Sequence, residues 1–227
     1  MTLGLPWQRL GTGGCRDNVA EVISRRPRDE KARQIRSPLL ARNLRKVSDR
    51  DLAPGEWAVL ALLCERPAHG WALARQLSAN GELGSIWSLT RPLVYRSLEI
   101  LEGRRLIAPS GREPGSRGPN RTVFRATAAG HEAVGGWLSE PVEHVREGRS
   151  LLLLKLVFAQ RNCIDPRPML HAQRLGIEEA IDSLEARTRG SAGTEAILLR
   201  FRLESSRAVE RFIDGVLAEL EPYARAV

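Results

Sequence analysis

A mostly α-helical chain carrying one small β-ribbon is what this sequence predicts, and three observations predict it. Apolar residues between Leu52 and Leu101 recur at helical spacing, punctuated by Pro67, Gly70 and Gly81. Two short apolar runs, Leu106-Ile107-Ala108 and Thr122-Val123-Phe124-Arg125, flank a Gly/Pro/Arg-rich loop over 111–121. Beyond Arg149 the chain turns to long amphipathic stretches, broken at Arg189-Gly190-Ser191-Ala192-Gly193.

The elements follow in order. Residues 1–50 hold twelve Lys/Arg against five Asp/Glu, so +7 of the formal net charge of +8 sits there, and residues 51–227 are almost neutral. No sustained period runs through this arm. It reads as mostly disordered, with a short helix near Pro38–Val47 and a boundary at Ser48–Asp51: a polyanion-binding tail or simply a solvated segment. The first helix opens at Ala53-Pro54-Gly55-Glu56, because Pro and an acidic residue suit a first turn. Trp57, Leu60, Ala61 and Cys64 form its inward stripe. After Gly70, a second helix turns Trp71, Ala74 and Leu77 to the core and ends at Asn80-Gly81. Thr90 caps a third helix with Pro92 in its first turn. At about 100° per residue, Val94, Leu98 and Leu101 fall on one face, while Arg91, Tyr95 and Arg96 fall on the other, with Glu99 and Glu102 further along. Thr127 opens a fourth helix, Ala128–Leu138, which Pro141 closes.

The C-terminal region reads as helices throughout. Ser150–Arg161 is apolar on nearly every side. Asp165 caps Pro166–Arg187, and Thr194-Glu195 opens a last helix. The two long helices form an antiparallel pair, and leftover apolar surface calls for a second copy. Leu154, Phe158, Leu199, Leu203, Phe212 and Val216 are the residues expected at that homodimer interface.

Three small helices and a ribbon with a basic tip are the order of a winged helix-turn-helix, a fold that places its third helix in the DNA major groove. The domains expected are the arm 1–50, a DNA-binding domain 51–141 and a helical dimerisation and effector domain 142–227. The expected contacts to double-stranded operator DNA are Thr90, Arg91, Tyr95 and Arg96 on the third helix and Arg112, Arg117 and Arg121 on the wing. Arginine reads guanine edges or clamps phosphate, and tyrosine donates to phosphate. A helical protein-interaction module without DNA binding is the alternative; it has no need of these arginines.

Other classes find little footing. Cys15, Cys64 and Cys163 are odd in number and far apart, suggesting neither a disulfide framework nor a zinc site. His69, His131, His144 and His171 are scattered, and no nucleophile stands at a recognisable spacing from a base, so no enzyme and no cofactor are expected. Leu151–Ala159, broken by Lys155, is too short to cross a bilayer, which points away from membranes and towards the cytoplasm. Trp57, Trp71, Trp87 and Trp137 read first as core residues; the alternative is aromatic surface near the domain junction for a small aromatic effector.

These residues resemble the PadR-type transcriptional regulators. The matching pieces are Ala68-His69-Gly70-Trp71-Ala72-Leu73, the run Leu93–Glu102, Leu106-Ile107, Gly118–Phe124, Thr127-Ala128-Ala129-Gly130 and Trp137–Pro141. The likeness spans roughly residues 52–141 and continues more loosely through Leu151–Ala159. It implies a bacterial dimeric regulator, a repressor or an activator. The winged helix would bind operator DNA, the C-terminal helices would dimerise, and in some members a small molecule releases DNA. It also implies that Tyr95 is the family's recognition-helix tyrosine and Arg121 its basic wing residue. Trp71 and Phe124 stand where tyrosine is usual, Arg91-Pro92 replaces a smaller opening, and residues 1–50 lie outside the pattern.

Overall fold

The computed structural model describes residues 52–115, 118–144, 147–148 and 150–224. The expected arm 1–50 and Arg117 lie outside the described residues. In chain order the elements are α1 (Pro54–Glu65), β1 (Ala68–His69), α2 (Gly70–Gln76), α3 (Arg91–Gly103), β2 (Ile107–Gly115), β3 (Gly118–Ala126), α4 (Ala128–Ser139), α5 (Leu151–Arg161), α6 (Arg167–Thr188) and α7 (Gly193–Ala224).

Helix α1 is the centre of the N-terminal half. Pro54 opens it, and the Glu56 carboxylate reaches back to accept from the Ala53 amide at 2.9 Å. The expectation of one inward stripe is corrected here. Every residue from Trp57 to Leu63 is buried, because α3, α4, α5 and β3 surround the helix. A run with no polar residue among seven leaves no face for water.

Helix α2 departs from expectation in phase. Gly70, Leu73, Ala74 and Leu77 are the inward residues, and Trp71 is 41 % exposed. The helix starts at Gly70 because the His69 side chain caps it, its Nδ1 accepting from Ala72 N at 3.0 Å. That start places Leu73, not Trp71, over the core. The helix also ends earlier than Asn80-Gly81, with Leu77 as its C-cap.

The ribbon is longer than the two short runs and gains a third strand. The sheet order is β1-β3-β2, with Ala68 opposite Phe124 and His69 opposite Val123. Antiparallel β2–β3 pairing extends from Ile107↔Ala126 to Gly115↔Gly118, with irregularities at Pro109/Gly111 and Glu113/Gly115. Most of the Gly/Pro/Arg-rich stretch is therefore strand. The two-residue strand β1 escaped notice because a run that short has no period of its own. Thr127 fastens the base of the wing. Its Oγ1 donates towards the carbonyls of Arg105 (2.9 Å) and Leu106 (3.0 Å) and accepts from Gly130 N (3.1 Å).

The C-terminal helices divide into two groups. Helix α5 packs against α1 and α4. Phe158 lies 6.4 Å from the Trp137 ring, which stacks on Trp57 at 5.1 Å and 3°. The Lys155 ammonium, wholly buried, donates to the Glu140 carbonyl at 2.8 Å. At the end of α5, Arg161 forks onto Glu65 at 2.6 and 2.7 Å and reaches Glu82 at 2.9 Å. Hydrogen bonding to Glu65 pushes the guanidinium pKa above its usual value. Helices α6 and α7 are the long pair. They are antiparallel: Arg174 of α6 meets Asp214 (3.2 Å), and Glu185, further along α6, meets Arg207, further back on α7 (2.6 Å). Gln173 ties α6 to the preceding chain, its amide exchanging hydrogen bonds with both backbone groups of Val142.

Candidate nucleic-acid interface

Helix α3 sorts its residues as a 3.6-residue repeat requires. Val94, Leu98 and Leu101 are buried beside α1, while Arg91, Tyr95, Arg96, Glu99 and Glu102 are exposed. Thr90 is the N-cap residue, but its hydroxyl makes no capping bond. Pro92 removes one of the two amides an N-cap oxygen normally takes.

A cleft of about 490 Å³ opens between α3 and the wing. Of the expected residues it brings together Arg91, Tyr95 and Arg121; its other walls include Trp71, Glu99, Glu102 and Phe124. The Arg91 guanidinium carbon sits 5.6 Å from the Tyr95 ring centroid. Arg121 lies over the Trp71 ring at 5.2 Å. Arg96 and Thr90 do not line the cleft, and Arg96 is exposed to solvent. Arg112 lies exposed on β2, opposite Thr122. Among the described residues, Arg91, Arg96, Arg112 and Arg121 have no carboxylate within ion-pairing distance, whereas Arg161, Arg167, Arg174 and Arg207 all do.

Three residues were missed on the sequence. Trp71 stands at the cleft because of the phase of α2, with Arg75 one turn further along over its ring, and the spacing Gly70, Leu73, Ala74, Leu77 carried that signal. Gly70 was read as a turn, but its role is clearance: a Cβ there would lie 2.9 Å from Tyr95 Cε1 and Cζ. His69, expected to satisfy a turn, does so as the cap of α2, and its Nε2 faces Glu113 at 3.6 Å.

The six residues expected at a dimer interface fall into two groups. Leu154, Phe158, Leu199, Leu203 and Val216 are buried within one copy of the chain. Only Phe212 is exposed, alongside Ile197, Leu198, Phe201 and Leu175. The four tryptophans do not form one wall either. Trp57 and Trp137 stack on each other in the core, and Trp71 stands at the wing.

Burial pushes the Cys64 thiol up to about 12, so it is not a thiolate nucleophile at neutral pH. Among the described residues no cluster of His, Cys, Asp and Glu is arranged to hold a metal ion. No helix among them is long and apolar enough to cross a membrane.

Residues 59–135 match the family model described as the transcriptional regulator PadR-like family. Among solved structures, the chain is similar to Bacillus subtilis PadR in complex with operator DNA, at 18% identity and a TM-score of 0.35, covering 72% of this chain and 96% of that one. It is similar to smu.1604c from Streptococcus mutans UA159, at 17% and 0.35, covering 72% and 98%. A third is Bacillus subtilis PadR in complex with p-coumaric acid, at 17% and 0.33, covering 74% and 99%. No curated protein matches the chain. The matched stretch runs from α1 almost to the end of α4, the helices and ribbon described above, and through it this chain is similar to the PadR-like family of transcriptional regulators.

Proposed function

We propose that this chain binds double-stranded operator DNA as a homodimer and acts as a repressor, reading the major groove with α3 and following the backbone with the wing. One observation carries the reading. Helix α3 buries Val94, Leu98 and Leu101 and leaves Arg91, Tyr95 and Arg96 outward, beside a wing whose Arg112 and Arg121 have no carboxylate partner. Exposed arginines without partners cost nothing in water, but they are spare on a face with no anion to meet. In this reading residues 51–141 are the DNA-binding unit, buttressed by α5, and residues 142–227 supply pairing through α6 and α7. Thr90 and Arg117 stay within the proposed contact set.

Pairing rests on a second stripe of α7. Taking 100° per residue, Ile197, Leu198, Phe201 and Phe212 share an arc distinct from the one turned to α6. Ile197 and Phe201 are 71 % and 72 % exposed, a patch that suits a symmetric copy of itself. Two recognition helices then address the half-sites of a pseudo-palindrome. Release by a small aromatic effector is kept as part of the proposal, but the tryptophan arrangement lends it no support.

Gel-shift titration of the full chain against salt tests the reading. Phosphate neutralisation predicts an affinity that falls steeply and linearly in log salt. Absence of binding at low salt to any duplex, including the chain's own upstream region, would leave the interaction-module alternative standing.

A further inference from the structure

We propose that Arg75 and Arg121, both held against the indole of Trp71, form a phosphate clamp that joins α2 to the wing and grips the DNA backbone beside α3. The proposal rests on the DNA-binding reading above.

Both guanidinium carbons lie 5.2 Å from the centroid of the same ring. They come from different elements: Arg75 from the last turn of α2 and Arg121 from β3. Exposed arginines at a folded surface are ordinarily met by a carboxylate where one is within reach. None among the described residues is within ion-pairing distance of either. Glu113 is the acid best placed by register, directly opposite Arg121. Its carboxylate instead faces His69 Nε2 at 3.6 Å. That histidine is itself anchored, because its Nδ1 accepts from Ala72 N to cap α2. Glu99 and Glu102 line the same cleft without reaching either arginine.

The ring is in place before any ligand arrives. The cap at His69 sets the phase of α2, which leaves Trp71 exposed and facing the wing. Contact with the ring restrains each guanidinium, so less side-chain freedom is lost when its fork meets a phosphate. Each preset fork suits the doubly accepting oxygens of its own backbone phosphate and contributes no base reading.

The test is fluorescence anisotropy of the full chain with a labelled mixed-sequence duplex, repeated across salt concentrations. Such a probe isolates backbone contacts. Arg75→Gln and Arg121→Gln are each expected to lower the slope of log affinity against log salt by about 0.9 per protomer. Trp71→Ala keeps both charges, yet is expected to weaken binding with neither arginine held, and Trp71→Phe to restore it. Urea midpoints of all four should match the parent, since Trp71 and Arg75 are exposed. An unchanged slope for Arg75→Gln, or unchanged affinity for Trp71→Ala, overturns the clamp alone. A parent chain with no salt-dependent binding overturns the DNA reading and the clamp together.

Discussion

Gly70→Ala is the sharpest perturbation the cleft offers. The added Cβ would stand 2.9 Å from Tyr95 Cε1 and Cζ and 3.1 Å from Leu98 Cδ1. Carbon atoms settle at about 3.5–4.0 Å, so the tyrosine ring would need to retreat by roughly 0.6–1.1 Å. Leu98 is locked in the core at 3 % exposure, whereas Tyr95 is 39 % exposed and free to swing outward. The ring therefore yields. Overpacking costs about 1–3 kcal/mol where nothing can move; here the strain is relieved towards solvent, and alanine in a helix recovers about 0.5–1 kcal/mol over glycine. Folding stability should change by less than about 1 kcal/mol on this balance. Affinity is another matter, because a displaced Tyr95 loses a contact of about 1–2 kcal/mol, a factor of roughly 5–30. Anisotropy with an operator selected from a random duplex pool, together with urea unfolding, measures both. In a Tyr95→Ala background the same change should cost nothing further, since the clash is gone. Undiminished affinity for Gly70→Ala, or a loss that persists without Tyr95, would refute the link between this glycine and the tyrosine.

Other outcomes follow from the same structure. Phe158→Ala should destabilise the fold by about 3–5 kcal/mol in urea, because the ring is wholly buried between α1 and α4; folded monomers of normal stability would restore it to an interface. Phe201→Glu should leave the urea midpoint nearly unchanged while sedimentation shows the dimer lost; an intact dimer at micromolar concentration would exclude this stripe of α7. His131, at the start of α4, has its pKa lowered below its usual 6.5 by partial burial, which penalises the charged form. A depressed histidine means that the unfolded chain binds the proton more readily. Its share of stability is complete above pH 6.5 and lost as pH falls from there towards the folded value. Melting temperatures of parent and His131→Gln, compared between pH 7.5 and 5.5, should diverge in that sense; parallel curves would dismiss it.

Much of the N-terminal half was legible in the chain itself. Val94, Leu98 and Leu101 against Arg91, Tyr95 and Arg96 is a separation that periodicity alone dictates, and the structure keeps it. Thr127 was legible as a cap, although its additional bonds to Arg105 and Leu106 join residues more than twenty apart. Where local signals were ambiguous, the reading slipped. A tryptophan at Trp71 looks like core, and only the cap formed by His69, in a strand paired across to Val123, sets the phase that turns it outward. Leu154 and Phe158 were legible as buried but not by what. Apolarity states that a residue leaves water, while the neighbour that covers it depends on contacts far along the chain.

By itself, then, the order of residues determined where the main helices lie, that a ribbon follows α3, which side of α3 is apolar and where positive charge gathers. Those are properties of spacing and composition within a few turns of backbone. Only the tertiary structure decided that α5 belongs to the core around α1, that Arg75 and Arg121 share one ring, and that the exposed stripe of α7 runs through Ile197 and Phe201 instead of Leu199 and Leu203. Each of these depends on how elements distant in sequence meet, and a periodic pattern fixes the face of a helix but not its neighbour.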